Sequence, residues 1–200
     1  MPLRLVVFDC DGTLVDSQES IVAAMQTACA AHDLPEPDAG SIRRMVGLPL
    51  VEAFARLLPH TDADAHERLR LSYSEAFFTM RQNGLVSEPL YPGATAALDA
   101  VEASGWLAGI ATGKSMRGLV ATLDRHRLSD RFATLQTSDK ARGKPSPDML
   151  HQAMSETGVE AAMTVMIGDT TFDMEMARNA GTLAVGVAWG YHPASELRQA

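Results

Sequence analysis

Apolar residues run unbroken through Leu5-Val6-Val7-Phe8 and stop at Asp9. That pattern predicts a strand buried on both faces. After it the period changes. In "SQESIVAAMQTACAAH", Ile21, Met25, Ala28 or Cys29, and His32 share one helical face. Val51, Phe54, Leu57 and Leu58 do so in "PLVEAFARLL", and Leu69, Tyr73, Ala76, Phe77 and Met80 in "AHERLRLSYSEAFFTMRQNG". "DLPEPDAGS" and "LLPHTDAD" read as the loops between them. The three patterns predict a helical bundle over residues 16–88, with no strand in it.

From Pro92-Gly93 onward apolar runs and helical patterns alternate. "WLAGIAT", "FATLQT", "TVMIGD" and "TLAVGVAW" read as strands. Helices are predicted from Pro92-Gly93 to Gly105, over "SMRGLVATLDRHR", from Pro147 (capped by Ser146) to Gly158, and over "FDMEMARNAG" to Gly181. Such alternation implies a parallel sheet with helices on both faces, an α/β, Rossmann-like core. The first strand belongs with the later ones. Residues 1–15 and 89–200 are therefore expected to form the core, and residues 16–88 an inserted helical domain. Such a sheet usually continues with one more strand and helix, so a trimmed C-terminus is expected after "ELRQA".

The 46% hydrophobic content of the 200 residues is enough to bury a sizeable core. The formal net charge of −8, without a basic stripe, argues against a nucleic-acid partner. No apolar run approaches the roughly 20 residues of a membrane span. The N-terminal run is too short for a signal peptide and leads straight into aspartates. Cys10 and Cys29 are isolated thiols, which suggests a reducing compartment. A soluble cytoplasmic protein is expected. An acidic chain that handles an anion must build a local positive site, often with a metal.

In parallel sheets, ligands bind beyond the carboxyl ends of the strands. The first strand delivers Asp9 and Asp11, and the second Thr112, Gly113 and, nearby, Lys114. The third leads through "SDKARGKPSP" to Lys144, and the fourth delivers Gly168 and Asp169, with Asp173 one helical turn on. Two carboxylates side by side at the end of a buried strand repel, and burying them costs several kcal/mol unless compensated. Grouped carboxylates call for a cation, and hard oxygen ligands suit Mg²⁺. Mg²⁺, a lysine, a hydroxyl and glycine-opened amides suit a phosphate dianion. A carboxylate free to attack phosphorus completes a phosphoryl-transfer site. Asp173 reads alternatively as a helix-start acid favoured by the dipole, and Lys114 and Ser115 as the start of a helix.

Four segments in order, "DCDGT", "ATG", "GKPSPD" and "GDTTFD", resemble the haloacid dehalogenase superfamily. The likeness is to its phosphatases with a helical cap inserted after the first strand, phosphoglycolate phosphatase-like proteins among them. It covers essentially the whole chain. The resemblance implies that Asp9 is the nucleophile that becomes an aspartyl-phosphate, and that Asp11 is first general acid, then base. It implies that Thr112 and the Gly113 amide hold the phosphoryl oxygens and that Lys144 neutralises charge and positions Asp9. Asp9, the backbone carbonyl of Asp11 and Asp169 would bind Mg²⁺, with Asp173 supporting the metal. Because Asp11 must hold a proton at the right moment, it is expected to have less cationic contact than Asp9. The cap would choose the substrate. There, Gly47 would let a loop approach the site, and Arg43 or Arg44 either meets an anionic leaving group or is a surface arginine on a helix.

The activity implied is a Mg²⁺-dependent phosphatase of small phosphorylated metabolites, 2-phosphoglycolate by default, with neither nucleic acid nor membrane as partner, acting as a monomer or homodimer. A phosphomutase is the first rival. A non-catalytic phospho-acceptor module is a more distant one, since its acceptor would sit on a later strand, whereas the third strand here ends in Thr137-Ser138.

Overall fold

The computed structural model of the chain describes residues 3–200. Strand β1 (Leu5–Phe8) is fully buried at the centre of a five-stranded sheet of order β3-β2-β1-β4-β5. The others are β2 (Leu107–Thr112), β3 (Thr134–Thr137), β4 (Thr164–Gly168) and β5 (Leu183–Gly186), and every pairing is parallel. Phe8 lies opposite both Ile110 and Ile167. The residue after it, Asp9, therefore leaves the sheet level with the ends of β2 and β4.

The pleat sends alternate β1 residues into separate cores. Val6 and Phe8 join Leu98 of α5 (Ala94–Ala103) and Leu119 and Leu123 of α6 (Met116–His126). Leu5 and Val7 join Leu150 of α7 (Asp148–Thr157) and Met176 of α8 (Thr171–Ala180). The sheet is thus flanked by helices on both faces, as the alternation predicts. The covering fails at β5, where Leu183 is 65% and Val185 48% exposed. This edge strand pairs with β4 alone, and the four-residue α9 (Ala194–Leu197) packs at its end, against Gly186. Helix α7 also begins later than expected. Ser146 donates its N–H to Gly143 in a turn rather than capping, and Pro147 occupies the cap position.

Residues between β1 and α5 form α1 (Gln18–Ala30), α2 (Ala39–Met45), α3 (Leu50–Leu57) and α4 (Ala63–Gln82). Ile21, Met25, Ile42, Phe54 and Leu69 give them their own apolar cluster. Helix α2 has no visible sequence period because Ile42 is its one buried residue; the Asp38 side chain starts it by accepting from the Ser41 N–H. The chain leaves and re-enters the sheet region side by side, through Asp16 N–H to Pro89 at 2.8 Å and Tyr91 N–H to Leu14 at 2.9 Å. Phe172 of α8 and the partly buried Tyr191 pack into the α1–α4 cluster. The helical segment therefore rests on the carboxyl rim of the sheet.

Candidate active site

At the end of β1 the Asp9 carboxylate is buried, accepts from the Cys10 N–H at 2.7 Å and lies 2.8 Å from Lys144 Nζ. Lys144 arrives on the loop between β3 and α7, is wholly buried, and reaches Asp173 Oδ1 at 2.7 Å. Asp173 stands in the first turn of α8. Its Oδ2 accepts from both the Thr170 N–H (3.0 Å) and the Thr170 hydroxyl (2.7 Å), closing a capping box. It is thus a helix-start acid and a member of the cluster at once. Asp169, at the end of β4, accepts from the Thr13 hydroxyl at 2.9 Å and the Tyr191 N–H at 2.8 Å. This crowding needs bare backbone beside it. A Cβ on Gly12, whose φ is +85°, would sit 2.2 Å from Asp169 Oδ2.

Oxygens of Asp9, Asp169 and Asp173 lie within 4.8 Å of one another. Burial raises the Asp9 pKa to about 7; Lys144 opposes the rise and Asp173 adds to it. Burial, then Asp173 and Asp9, push Asp169 well above the usual carboxylate range. The Asp173 and Asp9 carboxylates outweigh burial and hold Lys144 in its charged form. Three buried acids and one lysine leave negative charge uncompensated. An all-oxygen set at this spacing fits a hard divalent cation such as Mg²⁺.

Asp11 turns away from this cluster. Its Oδ1 accepts from the Ser17 hydroxyl at the start of α1 and lies 2.8 Å from Lys114 Nζ. Each of the two carboxylates has one lysine at 2.8 Å, Lys114 for Asp11 and Lys144 for Asp9. The cause is local. Lys114 follows Thr112 by two residues on the loop at the end of β2, and that loop faces Asp11. Thr112 is buried, accepts from the Lys114 N–H at 3.3 Å, and lines the same cavity as Asp9, Asp11, Gly113 and Gly47.

Gly47 is brought to the site. With φ +101°, its carbonyl oxygen lies 3.0 Å from where a Gly113 Cβ would be. Arg44 is not brought there. Its guanidinium pairs with Glu196 of α9 at 2.8 Å, half exposed, and it does not line the cavity. Arg43 is also absent from the lining. Ser17, Thr13 and Tyr191 also contact the acids, although no motif assigns them a role. Ser17 lies six residues after Asp11, at the cap position of α1, a polar residue at a helix start that the sequence shows. Tyr191 contributes a backbone N–H from a distant loop, which no side-chain pattern announces.

The profile of the family described as "Haloacid dehalogenase-like hydrolase" matches residues 6–187. A protein of Dickeya dadantii named "Probable phosphatase IndB" is 37% identical over 98% of this chain and 86% of its own. An N-acetylmuramic acid 6-phosphate phosphatase of Pseudomonas aeruginosa is 33% identical over 96% of this chain and 85% of its own. A phosphoglycolate phosphatase of Rhodospirillum rubrum is 34% identical over 94% and 80%.

Proposed function

The chain belongs to the haloacid dehalogenase-like hydrolases, and from that premise we propose a Mg²⁺-dependent phosphatase that hydrolyses a small phosphomonoester through an aspartyl-phosphate on Asp9. It is a phosphoric monoester hydrolase by family and by the names of its relatives. The observation that carries the finer reading is Lys144, buried between Asp9 and Asp173 within the acidic cluster, beside a cavity that Asp9, Asp11 and Thr112 share.

Asp9, Asp169 and the Asp11 backbone carbonyl would hold Mg²⁺, with Asp173 behind them; when bound, the ion supplies the positive charge that the carboxylates and the phosphoryl oxygens need. The Thr112 hydroxyl and Gly113 amide orient the phosphoryl group. Asp9 Oδ attacks phosphorus, and the ester P–O bond breaks as Asp11 gives its proton to the leaving alcohol. Asp11 then takes a proton from the water that attacks the phosphoryl-aspartate. Inorganic phosphate leaves and the Asp9 carboxylate is restored. In this structure the Asp11 carboxyl group accepts from the Ser17 hydroxyl and lies beside Lys114. The segment at residues 16–88 serves as a cap that closes the reaction from water, over a core of residues 1–15 and 89–200. The two cysteines are free and buried, in keeping with a reducing, cytoplasmic setting.

The test is phosphate release by purified protein with Mg²⁺ from a panel of phosphorylated metabolites and an aryl phosphate. Asp9→Asn should abolish release while leaving the fold intact, and a folded Asp9→Asn protein that still turned over would contradict the mechanism. Conversion of a sugar phosphate to its isomer without free phosphate would instead support the phosphomutase.

A further inference from the structure

The cavity that opens onto Asp9 has a volume of about 480 Å³. That is the range of sites that enclose drug-sized ligands, and far more than a two-carbon acid fills. The space is not a gap left by separated parts. The backbone of Gly47 touches Gly113, and Pro49 is packed so closely on Gly143 that a Cβ there would lie 2.3 Å from its ring. The ion pair Arg44–Glu196 joins the same two halves at another point of the rim. The volume therefore lies between parts that touch at its rim.

Its walls are chemically uneven. Ile21 and Met25 of α1 and Tyr73, Phe77 and Phe78 of α4 make one side. The Tyr73 hydroxyl has no hydrogen-bond partner among the described residues. Burial pushes its pKa up, so it remains an O–H donor. Most of the lining cations are already engaged, Lys114 by Asp11, Arg70 by Glu67 and Arg81 by Glu88. The remaining one, Arg117, lies over the Phe78 ring at 4.8 Å. Little positive charge is left near the phosphoryl site for the carboxylate of a short acid. What the walls offer instead is aromatic and aliphatic surface and, in the Tyr73 hydroxyl, a donor set among those aromatic side chains.

We propose that the leaving group is a ring-bearing alcohol of sugar or nucleoside size, seated with its apolar face on the Phe77 wall and a polar group on the Tyr73 hydroxyl, rather than a two-carbon hydroxy acid. This rests on the phosphatase reading above. Rings present flat apolar faces alongside hydroxyls, and such a face stacks on aromatic side chains while its edge is hydrogen-bonded.

The experiment measures kcat/KM with Mg²⁺ for 2-phosphoglycolate, a hexose 6-phosphate, an N-acetylated hexosamine 6-phosphate, a nucleoside 5′-monophosphate and acetyl phosphate. At least one ring-bearing ester should exceed 2-phosphoglycolate by tenfold or more, and the sugar and nucleotide arms identify the ring. Phe77→Ala and the space-filling Ile21→Trp should each lower that ratio at least fivefold. Thermal melting verifies that each variant is folded, and Tyr73→Phe provides a conservative second probe that should act mainly through KM. If all esters are hydrolysed but 2-phosphoglycolate is as good as any ring, or if the ratio is unmoved in every folded variant, the inference is overturned while the phosphatase reading stands. If acetyl phosphate, an acyl phosphate with no ring to seat, and every ester are inert, the phosphatase reading itself fails.

Discussion

Lys144 shows how much one buried charge settles here. It is fully enclosed and touches two carboxylates at 2.8 and 2.7 Å. Breaking a buried pair from one side typically costs about 3–5 kcal/mol, because the remaining charge loses its partner. Lys144→Met should therefore destabilise the metal-free protein by about that amount at pH 8, measured by urea unfolding, and abolish turnover. The loss should shrink at pH 5. Asp9, whose pKa is raised by burial to about 7, is then protonated and needs the lysine less. The same shift makes a second prediction with a definite sign. In the unfolded chain an aspartate titrates near 3.9, so the native metal-free protein binds the extra proton. Its contribution to stability is present at low pH and is lost as pH rises through about 7. Melting temperatures in EDTA should fall between pH 5 and pH 8 more than those in Mg²⁺, since the cation replaces the proton. Equal pH profiles with and without Mg²⁺ would contradict a cation site among these acids. The acids and Lys144 were legible because each stands where a buried strand, or a motif following one, ends. The Asp11–Lys114 pair was not, because Lys114 also reads as an ordinary helix start and nothing in a linear string says which way it turns.

At the scale of elements, the join between α4 and α6 rests on Glu88. Its side chain is fully buried, lies 2.6 Å from Arg81 of α4 and accepts from the Thr122 hydroxyl of α6 at 2.9 Å. Burial works against its charge, but Arg81, Lys114 and Thr122 together hold its pKa below the usual value. Three segments thus meet on one carboxylate. Glu88→Gln should cost about 2 kcal/mol, less than a fully enclosed pair because Arg81 is partly solvated. A double-mutant cycle with Arg81→Ala checks it, and a coupling near zero would mean that the ion pair adds nothing to the joint. Strand positions were readable from unbroken apolar runs, and most helices from their period and their closing glycines. Helix α2 escaped because it buries Ile42 alone. The bare flank of β5 escaped because "TLAVGVAW" is as apolar as an interior strand. Composition does not distinguish an edge from a centre.

For the molecule as a whole, the period changes after Asp16 and again near Pro89, and at those points the chain runs antiparallel to itself as the helices α1–α4 leave and rejoin the sheet. Of the residues singled out between α1 and α4, Gly47 lines the cavity and Arg43 and Arg44 do not. Gly47 reaches it through backbone contact, while Arg44 spends its charge on Glu196, an exposed pair worth about 0–1 kcal/mol. Neither half of the molecule completes the cavity, since Asp9 and Thr112 come from one and Gly47, Tyr73 and Phe77 from the other. A ligand that mimics the transferring phosphoryl group should then stabilise the whole chain rather than one part. Vanadate with Mg²⁺, at about 100 times its dissociation constant, should add about 2.7 kcal/mol to unfolding. The shift should require both components, because the phosphoryl oxygens and the acids share one counter-ion. It should vanish in Asp169→Ala, whose acid would bind that ion, and should move both halves in a single calorimetric transition. A shift with vanadate alone, or one that persists in Asp169→Ala, would separate anion binding from the acidic cluster and remove the physical reason for gathering three buried carboxylates around Lys144.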